Sequence, residues 1–271
     1  MPAGRLLLPA LTSLSSFAAP TRIASINLCT DALLFDLADD ERIVSVTALS
    51  RDPSLSMHAE RARRVPVNRG RAEELLALAP DLVLADAGSS PATIALLRRL
   101  GLHVETLPTA STLPEVIALV TRAGNLIGAD ERAAALATRL AALAAVPSPT
   151  APTAVIVQPG GYVPGPETLG PSLLALAGLR DLAPTLGLGR GGFASIESLI
   201  LTRPAFIVRG LTTDAGRAIA DDFLTHPALT RARSLHGGLR TVAVNDAAWA
   251  CGCAALIDAV HDLRAGVAST P

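Results

Sequence analysis

The chain has 271 residues, of which 50% are apolar and 17% charged, and its formal net charge is −1. This length and apolar content suffice for one large or two small globular units with aliphatic cores. All 23 basic residues are arginine, and 24 acidic residues balance them. Without a basic surplus to hold a phosphate backbone, the composition argues against nucleic acid as a partner.

Residues 1–19 have the pattern of a signal peptide. Arg5 provides a positive start, residues 6–17 form an uncharged apolar run, and small residues follow at Ala18 and Ala19. We expect cleavage near Ala18 or Ala19 and a soluble protein in the periplasm; a disordered start is the alternative. No later run reaches the ~18 uninterrupted apolar residues that a membrane span requires.

Residues 20–127 predict an N-terminal α/β lobe, because short apolar runs alternate with helical patterns. Such alternation is typical of parallel sheets. The predicted strands are 22–26, 43–46, 82–85 and 103–106, and the predicted helices are 31–38, 72–78 and 91–100.

Residues 112–145 have a helical pattern almost throughout, with one interruption at Gly124 to Gly128, and a single long bridging helix is predicted over residues 128–147. Residues 129–145 contain neither glycine nor proline, and a helix of about 17 residues spans roughly 25 Å, enough to cross from one lobe to another. A proline-rich linker at 147–152 closes it, and a C-terminal α/β lobe follows over 148–271. Its predicted strands are 154–157, 206–209 and 241–244, and its helices are 171–177, 196–201, 214–223 and 249–263.

The two halves share a sequence phrase. Residues 73–83 and 197–207 both place a glutamate, an apolar pair, a proline and a strand at the same offsets, and 197 − 73 = 124. Two copies flanking a long helix indicate two similar lobes. The predicted fold class is therefore α/β, with two Rossmann-like lobes bridged by one long α-helix and a ligand cleft between the lobes.

Three cysteines, Cys29, Cys251 and Cys253, leave two states open. One disulfide from Cys29 to Cys251 or to Cys253 fits an oxidising compartment. Three buried free thiols acting as small apolar groups are the alternative.

No motif predicts catalysis or a resident metal or cofactor. The run from Gly187 to Gly192 matches GxGxxG, but it lacks the preceding strand that a dinucleotide site needs, so we interpret it as a flexible loop that carries Arg190 and Phe193. The five histidines are scattered without metal-ligand spacing.

Ligands of open α/β sheets bind at the carboxyl ends of the strands, so the loops after each strand are expected to face a common cleft. Tyr162, Phe193 and Trp249 would supply stacking surface there, and the arginines favour an anionic ligand. The predicted ligand-binding residues are Asn27, Thr30, Ser50, Arg51, Asp86, Ser89, Tyr162, Arg190, Phe193, Arg209 and Trp249.

The order of several segments resembles the periplasmic substrate-binding proteins of ABC transporters for iron-siderophore complexes and vitamin B12. The segments that carry the resemblance are 22–31, 42–52, 74–84, 195–208 and 248–252. The resemblance implies a monomeric, non-enzymatic binding protein that delivers a small-molecule metal chelate to an ABC permease in the inner membrane, with any metal held inside the chelate.

The resemblance also gives Glu73 and Glu197 a role, because similar proteins dock one acid of each lobe onto the permease. The alternative is that both are solvated first-turn acids favoured by the helix dipole. For the ligand, Arg51, Arg190 and Arg209 favour a ferric siderophore. A cobalamin or other corrinoid is the alternative, and an α/β enzyme subunit is a weaker one.

Overall fold

The computed structural model describes residues 19–144, 147–211, 222–235 and 239–270. Its first half is built on a parallel sheet in the order β3-β2-β1-β4-β5. The strands are β1 (Ile23–Ser25), β2 (Ile43–Thr47), β3 (Val67–Asn68), β4 (Leu82–Asp86) and β5 (Val104–Leu107). The helices of this half are α1 (Leu28–Leu37), α2 (Ala59–Ala62), α3 (Ala72–Leu78), α4 (Pro91–Arg99), α5 (Leu113–Ile127) and α6 (Asp130–Ala141).

The second half contains a parallel sheet in the order β11-β10-β6-β8 and an antiparallel pair, β7 with β9. The strands are β6 (Thr153–Val157), β7 (Tyr162–Pro164), β8 (Arg180–Asp181), β9 (Gly191–Phe193), β10 (Phe206–Leu211) and β11 (Arg240–Asn245). The helices are α7 (Leu169–Leu176), α8 (Ile196–Thr202), α9 (Asp222–Thr225), α10 (Pro227–Leu235), α11 (Asp246–Trp249) and α12 (Ala255–Ser269).

The predicted single helix over 128–147 is wrong in its bounds. Helix α5 ends at Gly128, which adopts the left-handed conformation with φ 65°, and α6 begins only at Asp130 and has 12 residues. Gly124 of α5 packs directly on Ala133, so the two helices form a close pair. The break itself falls within the interruption expected at Gly124 to Gly128, since a glycine in the left-handed region ends one helix and permits the next to start.

Helix α6 still makes the crossing between the halves. Near its start, Arg132 donates to the Leu37 carbonyl at 3.2 Å and pairs with Asp39, both in the first half. Just after its end, the Leu143 carbonyl accepts from Arg264 of α12 at 3.1 Å. The bridging function of this segment is therefore retained by a helix shorter than the predicted one.

The predicted helix over 249–263 is also interrupted. Helix α11 ends at Trp249 and α12 starts at Ala255, and the residues between them contain Cys251 and Cys253. Most of the predicted helix over 214–223 lies outside the described residues.

The internal repeat is present in three dimensions at the same offset of 124 residues. Helices α3 and α8 each have seven residues. Each ends at a non-glycine residue in the left-handed region, Ala79 at φ 43° and Arg203 at φ 51°, and each leads into an inner strand, β4 or β10. The strand order β2-β1-β4-β5 in one sheet corresponds to β8-β6-β10-β11 in the other, so the two lobes share one topology.

One apolar core joins both lobes. Fully buried aliphatic side chains from both halves, including Leu34, Val120, Leu173 and Leu256, belong to a single contiguous cluster. Helices α5, α6 and α12 all contribute buried side chains to this cluster, so the two lobes are packed against each other. None of the helices in the described part of the chain has the length and apolarity to cross a membrane.

Candidate ligand cleft

The carboxyl ends of the two main sheets meet through contacts between their loops. Cys29, just after β1, forms a disulfide with Cys251, which lies beyond β11, with Cα atoms 5.1 Å apart. The Asn245 amide nitrogen, at the end of β11, lies 3.2 Å from the Met57 sulfur, in the segment after β2. These contacts place the loops of the two lobes at a shared cleft and settle which of the open cysteine states the protein adopts.

The base of the cleft is polar and closed. Asp36 of α1 accepts a hydrogen bond from the Ala254 amide at 2.7 Å, and its other oxygen lies 3.1 Å from His58 Nε2. Cys253 is a buried free thiol beside this group. Burial and the neighbouring Asp36 raise the pKa of that thiol to about 12, so it stays protonated and apolar in character.

The first lobe's wall is held by Asp31, a fully buried residue of α1. Its Oδ2 accepts from the Thr47 amide at 3.0 Å and from the Ser50 hydroxyl at 2.6 Å. Burial raises the pKa of Asp31, and hydrogen bonds from serine and threonine hydroxyls oppose that rise. The carboxyl group thereby fixes the segment after β2 against α1.

Two predicted ligand-binding residues on this wall are corrected by the structure. Thr30 is 1% exposed and Ser50 is fully buried. Thr30 is hydrogen-bonded to the Ser25 hydroxyl at 2.6 Å, and Ser50 donates to Asp31. Both hydroxyls shape the loops from inside and present no atom to a ligand.

The other predicted polar residues of this wall use their side chains on their own loops. Asn27 caps α1 by accepting from the Cys29 amide at 2.7 Å. Arg51 donates to the carbonyls of Ala62 and Val65 at 3.2 and 2.8 Å. The Asp86 carboxylate accepts from the Gly88 amide and from the Ser89 hydroxyl, at 3.0 Å each. The predicted ion-pairing function of Arg51 therefore competes with two carbonyl contacts.

Three exposed apolar side chains on this wall were missed by the sequence analysis. Leu49, Leu55 and Met57 follow β2 and are 54%, 39% and 46% exposed. Large apolar side chains clustered on a surface loop mark a binding surface. A usable signal existed, since these residues interrupt an otherwise polar loop without helical or strand periodicity.

The second lobe's wall carries an aromatic pair. Tyr162 and Phe193 lie on the paired strands β7 and β9, with ring centroids 5.5 Å apart in an edge-to-face arrangement. Phe193 is 71% exposed. Two of the predicted aromatic residues, Tyr162 and Phe193, are therefore in contact, and Phe193 remains exposed.

Trp249 does not belong to this stacking surface, contrary to the prediction. It is 4% exposed, and its indole nitrogen donates to Asp246 Oδ1 at 3.0 Å. Burial raises the pKa of Asp246, and this hydrogen bond opposes the rise. The tryptophan packs in the shared core because α11 turns it inward.

The two predicted arginines of this wall differ. Arg190 forms an exposed ion pair with Glu167, so its charge is already partnered. Arg209 on β10 is exposed and makes no ion pair within the described ranges. Among the residues that the structure describes, no group of histidine, cysteine, aspartate and glutamate is placed to hold a metal ion.

Glu73 and Glu197 occupy equivalent exposed positions in the first turns of α3 and α8. The pKa of Glu197 is lowered by hydrogen bonding from its own amide and from Ser195, with a smaller contribution from His226. Each lobe therefore presents one exposed acid at the same place in the repeat.

The family model described as periplasmic binding protein matches residues 23–235. The chain belongs to this periplasmic binding protein family. Two curated relatives, both named cobalamin-binding protein and from two strains of Halobacterium salinarum, are 26% identical over 243 residues, which cover 86% of this chain. The chain spans 66% of the length of these relatives.

Solved structures share the fold of this periplasmic binding protein at low sequence identity. A periplasmic heme-binding protein from Pseudomonas aeruginosa matches with a TM-score of 0.71 and 23% identity, covering 93% of this chain and 94% of that one. The vitamin B12 binding protein BtuF of Vibrio cholerae matches with a TM-score of 0.67 and 17% identity, covering 92% and 97%. The heme-binding protein HutB of Vibrio cholerae matches with a TM-score of 0.73 and 18% identity, covering 90% and 98%.

Proposed function

We propose that this protein is an extracytoplasmic solute-binding protein that captures a corrinoid between its lobes and delivers it to an ABC permease. The observation that carries the ligand class is the presence of exposed apolar side chains on loops of both lobes, Leu49, Leu55 and Met57 in the first and Phe193 in the second. A large, mostly neutral macrocycle matches apolar walls on two sides. Support also comes from the two relatives named cobalamin-binding protein.

The arginine argument for a siderophore is weaker in the structure than in the sequence. Arg190 is paired with Glu167, and Arg51 donates to two backbone carbonyls. Part of the donor capacity of each guanidinium is therefore already used within the protein. Arg209 is the observation that keeps a ferric siderophore as the second candidate, because its exposed guanidinium has no acidic partner in the described ranges.

Titration of the purified protein with aquocobalamin, hemin and a ferric catecholate siderophore tests the ligand class. Bound cobalamin absorbs near the emission of Trp249, so it should quench the single tryptophan by energy transfer without touching it. We expect saturable cobalamin binding that Phe193→Ala weakens roughly tenfold, through lost apolar contact worth about 1–2 kcal/mol. The matched control is Leu201→Ala, which removes an 80% exposed side chain of α8 and should leave affinity unchanged. If only the siderophore binds, the ligand is the second candidate, a ferric siderophore, and the corrinoid proposal is wrong.

We also propose that Glu73 and Glu197 contact the permease when the binding protein docks onto it. Their equivalent, exposed positions on α3 and α8 fit a partner that presents one cationic site to each lobe, and such surface pairs mainly supply orientation and association rate. Replacing both with alanine should leave ligand affinity intact and abolish stimulation of the reconstituted transporter's ATPase. Glu60→Ala, at an exposed position on α2, is the charge control. Loss of ligand binding in the double variant would contradict the assignment.

The proposal includes export as a monomer and function by binding alone, without chemical turnover or a resident cofactor. The predicted signal peptide falls almost entirely on residues 1–18, outside the described ranges. N-terminal sequencing of the protein from the periplasmic fraction should begin after Ala18 or Ala19; an unprocessed Met1 in the cytoplasm would contradict it.

A further inference from the structure

The glycine-rich run from Gly187 to Gly192 borders a cavity of the second lobe. This cavity has a volume of about 260 Å³ and lies between the end of β7 and the segment that connects β8 to β9. Its apolar lining includes Val163, Pro164, Pro166, Pro184 and Leu188. One ionisable side chain, Asp181, also lines it.

The cavity wall depends on a close approach of two backbones. A Cβ atom added to Gly165 would lie 1.9 Å from the Arg190 carbonyl oxygen, and one added to Gly191 would lie 2.8 Å from the Gly165 amide nitrogen. Only glycine fits at both positions. The contact holds the glycine-rich segment over the cavity, so the space is a constructed feature of the second lobe.

Asp181 is held in place by one hydrogen bond, and its carboxylate can still accept others. Its Oδ1 accepts a hydrogen bond from the Ala183 amide at 2.8 Å. Its Oδ2 has no hydrogen-bond partner among the described residues. None of the ion pairs in the described ranges includes Asp181. Neighbouring cations are used elsewhere, since Arg180 donates to the Ala151 carbonyl at 3.1 Å and Arg190 pairs with Glu167. Burial raises the pKa of Asp181, as expected for a carboxyl group that lacks a cation.

This charge reverses what the GxGxxG pattern alone would indicate. Phosphate sites use glycine-rich turns whose amides meet the anion at a helix N-terminus. Among the described residues, the one ionisable side chain that lines the cavity is a carboxylate, which repels phosphate and attracts cations. The cavity is smaller than the roughly 300–1,000 Å³ of drug-sized ligand pockets, which restricts it to a small molecule or to one side chain of a larger partner.

We infer that this cavity is a binding site for a small organic cation, a primary ammonium or guanidinium group on a short apolar stem. The stem contacts the proline and leucine wall, and the cationic N–H groups donate to Asp181. The inference does not depend on which chelate the cleft binds.

Amide-resolved NMR titration with n-butylammonium tests the inference, with n-butanol and butyrate as neutral and anionic analogues of matched shape. We expect saturable shifts at Ala183, Gly189 and Gly191, and at least about tenfold weaker binding in Asp181→Asn, because the lost hydrogen bond involves charged partners. The control Asp52→Asn removes an exposed carboxylate of the other lobe and should bind as the native protein does.

Ala183→Leu provides a second variant that fills the cavity and keeps the carboxylate, so the test does not depend on the folding of Asp181→Asn alone. It should also reduce binding at least about tenfold. The inference is overturned if n-butylammonium fails to shift these amides, if n-butanol or butyrate binds as well, or if both cavity variants bind like the native protein.

Discussion

Asp31 shows how a buried charge organises one wall of the cleft. The residue lies in the first turn of α1 and is fully buried, yet no arginine or histidine in the described ranges pairs with it. Its oxygen Oδ2 instead accepts hydrogen bonds from the Thr47 amide, the Thr47 hydroxyl and the Ser50 hydroxyl. Since buried donors are costly when left unpaired, this one carboxyl group determines the path of the segment that carries Leu49.

Replacing Asp31 by alanine should destabilise the protein by at least about 2 kcal/mol, because a buried donor left without its acceptor costs about 1–3 kcal/mol. Urea denaturation followed by circular dichroism measures the change. Asp52→Ala, which removes an exposed carboxylate from the same lobe, should change the free energy of unfolding by no more than about 0.5 kcal/mol. Equal effects of the two variants would refute the structural role given to Asp31.

The helices and strands were largely predictable, and the exceptions have physical reasons. Helix α3 was predicted with its observed bounds because its amphipathic run stops at a proline, and α8 repeats that phrase 124 residues later. Local patterns of this kind contain their own start and stop signals. The glycines at 124 and 128 likewise signalled the break between α5 and α6, whereas the interruption around Cys251 depends on packing between distant segments, which no local window contains.

The site was harder to predict because a side chain's availability is a property of its surroundings. The rule that ligands meet the carboxyl ends of parallel strands selected these loops as candidates. Within those loops, Thr30, Ser50 and Trp249 point into the interior, whereas Leu49 and Met57 were overlooked since apolar residues are assigned to the core by default. Sequence type alone cannot separate a loop hydroxyl that contacts a ligand from one that supports the backbone.

The contact between α5 and α6 predicts an effect opposite to helix propensity. Gly124→Ala should destabilise the protein by about 1–3 kcal/mol, although alanine favours a helix over glycine by up to about 1 kcal/mol. The reason is that the new Cβ would lie 2.3 Å from the Cβ of Ala133. Thermal denaturation of Gly124→Ala, of Ala133→Gly and of the combined variant measures this. The combined variant should lose less stability than the two single variants together; strict additivity would show that the helices do not meet there.

The shared core and the cross-lobe contacts make the molecule one cooperative unit. The disulfide between Cys29 and Cys251 adds a covalent constraint between segments 222 residues apart, in a place where Asp36 and Ala254 also join the lobes. These contacts limit how far the two lobes can separate where the disulfide joins them.

Removing the disulfide with paired Cys29→Ser and Cys251→Ser substitutions should lower the free energy of unfolding by about 2–4 kcal/mol. Cys253→Ala is the control, since it removes the free thiol and leaves the bridge. Denaturant unfolding of the oxidised proteins provides the comparison.

Thiol titration checks the pairing independently. Native protein should show no reactive thiol, because Cys253 is buried with a pKa near 12, and protein unfolded without reductant should show one. Two or more thiols under those conditions would contradict the pairing of Cys29 with Cys251.

The position of the two cysteines also orders events during synthesis. Cys29 emerges early and Cys251 near the end, 222 residues later, so the bridge cannot close until the second lobe's last strand has been made. A nascent chain arrested before residue 251 would hold Cys29 without its partner. Closure of this bridge therefore requires that both lobes have been synthesised and have packed together.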